Sequence, residues 1–139
     1  MSFWALVGAP LYIGNDLTAL DAFGIELLTN PHVLAINADT ATTAAPTASS
    51  SGLLQTWTTD RGNGTVTVGV FNLGTQTSIF VYTPPLEWSV GVSGGASFAV
   101  TDVWTGEVLG VFHTAFKVDV DAHACRLLSI VAAKFTTKG

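Results

Sequence analysis

The chain has 139 residues, 48% hydrophobic and 11% charged, with five Lys and Arg against ten Asp and Glu for a net charge of −5. That length holds one folded core of ordinary size but not a complete (β/α)8 barrel, which takes about 250 residues. A globular domain usually carries about 25% charged residues, so part of this apolar surface is expected to meet a partner. The few cations, Arg61, Lys117, Arg126, Lys134 and Lys138, are scattered, which argues against a nucleic-acid ligand.

The chain opens on Met1-Ser2-Phe3-Trp4-Ala5-Leu6-Val7, apolar from the start with no Lys or Arg before the run. Pro10 and Gly14 interrupt it, so it is neither a signal peptide nor the roughly 20 apolar residues of a membrane span. Any targeting information would have to lie outside this stretch, and a secreted location would follow only from a secreted parent. Residues 2–7 can form a turn or two of helix. Pro10 pushes its predecessor toward extended geometry, and Leu11-Tyr12-Ile13 then reads as a short buried strand. Asp16 or Thr18 can cap a following amphipathic helix, with Thr18 and Asp21 resembling a capping box and Leu17, Leu20, Phe23, Leu27 and Leu28 at helical spacing. Thr29-Asn30-Pro31 ends that helix and starts another, since Asn caps well and Pro suits the first helical position. Val33, Leu34 and Ile36 form its expected buried side.

From Ala38 to Gly52 the composition turns to Ala, Thr, Ser and Pro with Asp39 as the single charge, as in a linker or long surface connection. Beyond it the period becomes two. Leu54–Thr58 and the alternating Val66, Val68 and Val70 read as strands, joined at Arg61-Gly62-Asn63-Gly64, where Asn-Gly supplies the positive φ of a tight hairpin. Further strand-like runs cover 77–82, 87–92, 97–104, 107–112, 115–120 and 126–132. Seven or eight short strands at this spacing predict a mostly β fold, an antiparallel sandwich of Greek-key type, preceded by a short α/β segment.

Few residues suggest chemistry on their own. Asp119, Asp121, His123 and Cys125 alternate, but along one strand they would spread over about 20 Å and cannot converge on one ion, so no metal and no cofactor is expected. A lone cysteine forms no internal disulfide, and Cys125 reads as a structural thiol. Trp57, Tyr82, Trp88 and Trp104 carry the aromatic faces on which a sandwich can stack sugar rings. Trp57 and Trp104 are the candidate sugar-contacting residues, against the alternative that they are core or turn residues. Asn63-Gly64-Thr65 is a glycosylation sequon at the expected hairpin tip, although the turn alone also explains Asn63.

The run Phe3-Trp4-Ala5-Leu6-Val7-Gly8-Ala9-Pro10-Leu11-Tyr12-Ile13-Gly14-Asn15-Asp16-Leu17, with Leu27-Leu28-Thr29-Asn30 and Val33-Leu34-Ala35-Ile36-Asn37, resembles the last barrel segment of the alpha-galactosidases of glycoside hydrolase family 27. Asp102-Val103-Trp104-Thr105-Gly106-Glu107 and Ala122-His123-Ala124-Cys125-Arg126-Leu127-Leu128 are similar to that family's carboxyl-terminal sandwich. Two departures stand out: Ala38-Asp39-Thr40 where the family tends to have Gln-Asp-Pro, and Ala124 where Gly is common. The resemblance implies residues 1–37 as the terminal β/α segment of a barrel, 38–52 as a linker and 53–139 as the sandwich. It also implies a retaining hydrolysis of α-galactosides by two aspartates about 5–5.5 Å apart. Both lie upstream of the matched segments in the family, so no catalytic residue is assigned here. Asn15 and Asp16 would sit at the mouth of the barrel, and Asp16 also has the plainer reading of a helix cap. The implied partners are a carbohydrate, met through the parent enzyme, and the missing barrel or another chain, met through the apolar amino-terminal segment. A free-standing sandwich that binds carbohydrate or a partner protein is the alternative.

Overall fold

The computed structural model describes residues 1–39, 44–46, 52–61, 64–84 and 97–132. The expected strand at 87–92, Trp88 and the hairpin tip with Asn63 lie outside the described residues. Three helices come first: α1 (Ser2–Leu6), α2 (Ala22–Thr29) and α3 (Pro31–Ala38). Eight strands follow among the described residues: β1 (Ala45–Pro46), β2 (Leu54–Asp60), β3 (Thr65–Asn72), β4 (Ser78–Tyr82), β5 (Phe98–Asp102), β6 (Val108–Phe112), β7 (Phe116–Val120) and β8 (Cys125–Ala132). They form a six-stranded sheet in the order β1-β2-β3-β8-β5-β6 and a two-stranded sheet of β4 and β7, with every pairing antiparallel.

The alternation of β3 explains the sandwich. Val66, Val68 and Val70 point to one face and bury with Phe98, Val100, Leu128 and Ile130 of the same sheet against Phe80, Tyr82, Phe116 and Val120 of the two-stranded sheet. Tyr82, Phe98, Phe112 and Phe116 join this core through ring contacts 4.9–6.1 Å apart. At one end Asn72, almost fully buried, bridges the two sheets. Its amide donates to the carbonyls of Gln76, Val120 and Asp121 at 2.7–3.1 Å and accepts from the Gly74 N–H at 2.9 Å.

The other face of β3 is buried as well. Leu6 and Ala5 of α1, Val33 of α3, Ala44, Val103 and Leu127 form a second core, with Trp57, Phe71 and Trp104 packed at its margin. The chain is therefore three layers deep: a small sheet, a large sheet and a helical layer. Gly69 permits the closest approach, because a Cβ built there would overlap Leu6 Cδ1 and lie 3.0 Å from the Phe71 ring. Register places Trp57 and Leu127 on either side of Gly69.

The amino-terminal segment departs from expectation in two places. Leu11-Tyr12-Ile13 forms no strand, and Tyr12 is 92% exposed. A parallel strand exists only through neighbours that pair its backbone, and no neighbour is at hand among the described residues. The second helix begins at Ala22 rather than near Asp16. Its cap is Asp21, whose side chain accepts from Gly24 N–H at 2.7 Å, while Asp16 is engaged locally and leaves Leu17 and Leu20 outside the helix. The third helix starts as expected, with Asn30 accepting from the N–H groups of His32 and Val33 at 3.1 Å and Pro31 opening the first turn. Of its three expected buried residues Val33 is fully buried, Ile36 partly so and Leu34 a little over a third exposed, at 37%. Within residues 38–52, Ala44 is buried and donates its N–H to the Leu6 carbonyl, and β1 pairs with Thr58 and Trp57.

Candidate functional site

Asp16 and Asn15 lie in the irregular segment ahead of α2. Asp16 accepts from the Thr18 hydroxyl at 2.7 Å and the Thr18 N–H at 2.9 Å, a local Asx turn in place of the expected helix cap. The hydroxyl bond first, and the N–H bond second, lower its carboxyl below the ordinary carboxylate value. A carboxylate held ionised in this way is the opposite of a proton donor tuned upward for acid catalysis. Asn15 borders an apolar hollow of about 410 Å³ with Trp4, Leu11, Ile13, Leu27 and Leu28.

Trp57 and Trp104 belong to the helical layer. Trp57 meets Phe3 edge-on at 4.9 Å, and the two rings share a shallow apolar groove with Gln55, Phe71 and Leu73. The Trp104 indole N–H donates to Ser2 Oγ at 3.0 Å, and its carbonyl accepts from the Asn30 amide at 2.8 Å. Both indoles thus help hold α1 and α3 to the sheet. The Asp102–Glu107 turn that carries Trp104 is built by Asp102, whose Oδ1 accepts from the N–H groups of Trp104 and Thr105, and by Gly106 in the left-handed region at φ +71°. A Cβ on Gly106 would also press to 3.2 Å from His32 Nε2, so both the turn and the helix above it ask for glycine.

The alternating Asp119, Asp121, His123 and Cys125 do not converge. Asp119 is on β7, Asp121 accepts from the Thr77 hydroxyl at 3.2 Å, His123 occupies the tight turn at φ +56°, and Cys125 begins β8 with its thiol 3.5 Å from Ser2 Oγ. Among the described residues no cluster of three or more His, Cys, Asp or Glu could hold a metal ion, and no helix is long and apolar enough to cross a membrane. The left-handed residue of this turn is His123, not the neighbouring Ala124.

A second cleft of about 410 Å³ opens between α3 and the large sheet. Its floor is a row of hydroxyls set by strand register, since Thr67 lies opposite Ser129 and Ser129 opposite Thr101. Ala35 and Ile36 supply an apolar wall. His32 stands at the rim with Arg61, which pairs with Asp39 and donates from Nε to Thr67 Oγ1 at 3.1 Å. Asp102, at the far side, pairs with Arg126 at 3.6 Å. This cleft is not evident in the sequence, because the hydroxyls are neighbours only across three strands. The alternation of Thr65 and Thr67 with valines was the available signal, and it points equally to an ordinary solvated strand face.

The fold defines a class: an antiparallel β-sandwich module whose larger sheet is backed by helices. Residues 51–130, more than half of the chain, match the family model described as the alpha galactosidase C-terminal beta sandwich domain, and the chain belongs to that family. It is 28% identical over 127 residues to an alpha-galactosidase of Cyamopsis tetragonoloba, with 91% of this chain and 30% of that one aligned. A protein of Dictyostelium discoideum described as a probable alpha-galactosidase is 30% identical over 134 residues, covering 93% of this chain and 34% of its own. Among solved structures, alpha-galactosidase I from Mortierella vinacea superimposes with a TM-score of 0.80 at 27% identity, over 96% of this chain and 35% of that one. A GH27 β-L-arabinopyranosidase from Geobacillus stearothermophilus shares the fold, with a TM-score of 0.77 at 22% identity over 99% of this chain and 30% of that one. The chain spans about a third of the length of the curated relatives it matches.

Proposed function

We propose that this chain is the carboxyl-terminal portion of an alpha-galactosidase-like retaining glycoside hydrolase, and that by itself it does not hydrolyse glycosides. In this reading residues 1–37 are the last segment of a (β/α)8 barrel, 38–52 the connection and 53–139 the supporting sandwich. The carbohydrate substrate is met by the parent barrel, whose two carboxylates would lie upstream.

The observation that carries the reading is the apolar surface of the amino-terminal segment. Trp4, Tyr12, Ile13, Leu17, Phe23 and Ile25 are all more than half exposed, and several surround or adjoin the hollow beside Asn15. Leu11–Ile13, with the composition of a buried strand, has no sheet to join among the described residues. Both features are what a barrel segment would present without its neighbouring strands and helices. Five described carboxylates are engaged within the fold, Asp16 in a turn, Asp21 in a cap, Asp39 and Asp102 in ion pairs and Asp121 in a hydrogen bond from the Thr77 hydroxyl, which fits a supporting role for this part of the enzyme.

Fluorescence of an anilinonaphthalene dye tests the docking half of this reading. The isolated chain is expected to bind the dye strongly, and to lose that binding when the upstream barrel is supplied on the same polypeptide. A monomer that leaves the dye dark favours the second reading, a free-standing sandwich with its amino-terminal helices folded back on it. The packing of α1 and α3 on the large sheet is the observation in that reading's favour.

A further inference from the structure

We propose that the cleft between α3 and the large sheet is a binding site for a neutral polyhydroxylated ligand, a single hexopyranose unit either free or at the end of a longer saccharide. The inference goes beyond the proposed enzymatic role and does not depend on it, because every residue involved lies in this chain. At about 410 Å³ the cleft falls within the roughly 300–1,000 Å³ usual for small-molecule sites.

Its chemistry selects the ligand. Thr101, Ser129 and His32 line the cleft with two hydroxyls and an imidazole, groups that can both donate to and accept from ligand hydroxyls. Thr67, buried in the floor, is already fixed by Arg61 and orients the row. Each carboxylate at the cleft has its own guanidinium, Asp39 with Arg61 and Asp102 with Arg126, which leaves no unpaired arginine to recruit a phosphate or carboxylate. Facing the hydroxyl floor, Ala35 and Ile36 of α3 form an apolar wall suited to the C–H face of a sugar ring, while Val103, buried beside Leu127, belongs to the sheet side. A polar floor facing an apolar wall matches an amphipathic ring better than either a purely apolar or an anionic molecule. Neither Trp57 nor Trp104 lines this cleft, so binding rests on hydrogen bonds and wall contact without an aromatic platform.

Heteronuclear NMR of the full 139-residue chain tests the site, with galactose, raffinose and inorganic sulfate added in separate titrations. Galactose is expected to shift the amides of Thr67, Thr101, Ser129 and His32 along a saturating curve with a Kd on the order of 1–10 mM, weak because no aromatic ring stacks. Tighter saturation by raffinose than by galactose assigns the site to the end of a longer saccharide, and equal saturation assigns it to the single sugar. The double variant Thr101→Val, Ser129→Ala is expected to weaken binding about tenfold. Ala35→Trp, at an exposed helix position that leaves the core alone, is expected to abolish the shifts by filling the cleft. The proposal is overturned by shifts that stay linear to about 100 mM, by shifts that persist in Ala35→Trp, or by sulfate saturating the same amides more tightly than either sugar.

Discussion

Gly69 shows how a single missing side chain sets the spacing of two layers. It lies at the centre of β3, flanked in register by Trp57 and Leu127, and the space a Cβ would fill is taken by Leu6 and the ring of Phe71. Gly69→Ala is therefore expected to destabilise the chain by about 1–3 kcal/mol, the usual cost of overpacking. Combined with Leu6→Ala, the double variant should lose less than the sum of the two single losses, because the smaller residue vacates the space the methyl needs. Strict additivity in chemical unfolding would place Leu6 away from Gly69. Asn30 works differently, since one side chain caps α3 and ties it to the Trp104 carbonyl. Asn30→Ala is expected to cost about 1–2 kcal/mol, and a change within experimental error would mean that the cap is unimportant. Asp16 gives a pH signature. Its folded carboxyl titrates below the ordinary value, so the stability of the Asp16–Thr18 turn is fully present above that value and is lost as pH falls through the lowered one. The Thr18 amide resonance should move only in that acid window; movement near neutrality would contradict the assignment.

At the scale of elements, β3 and the segment before α2 mark the limits of what sequence reveals. The alternation of Val66, Val68 and Val70 identifies the inward face correctly, and all three bury in the sandwich core. Val68→Asp is accordingly expected to unfold the sandwich, since an unpaired charge at a fully buried position costs several kcal/mol, and an unchanged melting transition would contradict the register. The opposite face looks polar in sequence, with Thr65, Thr67 and Gly69, yet it too is covered, because α1, more than 60 positions before Gly69, docks there through Leu6. No local pattern encodes that contact. The start of α3 was legible because Asn30-Pro31 acts within one turn. The start of α2 was not, because Asp16 and Thr18 satisfy each other in a turn of their own. Leu11-Tyr12-Ile13 has strand composition without a strand, since sheet structure belongs to the pair and not to the segment. The hydroxyl row of the cleft has no sequence signature for the same reason: Thr67, Ser129 and Thr101 meet only across β3, β8 and β5.

At the scale of the whole molecule, two surfaces of opposite character leave the same chain. The sandwich closes its core from within, whereas the amino-terminal segment ends in exposed aromatic and aliphatic side chains. Relatives about three times as long continue beyond what this chain aligns with. The division of labour proposed here is a catalytic barrel and a supporting sandwich, with the chain carrying the second and the edge of the first. The most direct test is hydrolysis of a chromogenic α-galactoside by the purified 139-residue chain, measured beside a longer polypeptide that includes the upstream barrel. The account predicts turnover by the longer polypeptide alone. Turnover by the short chain would contradict it, and would mean that a carboxylate pair among its ten acids performs the chemistry.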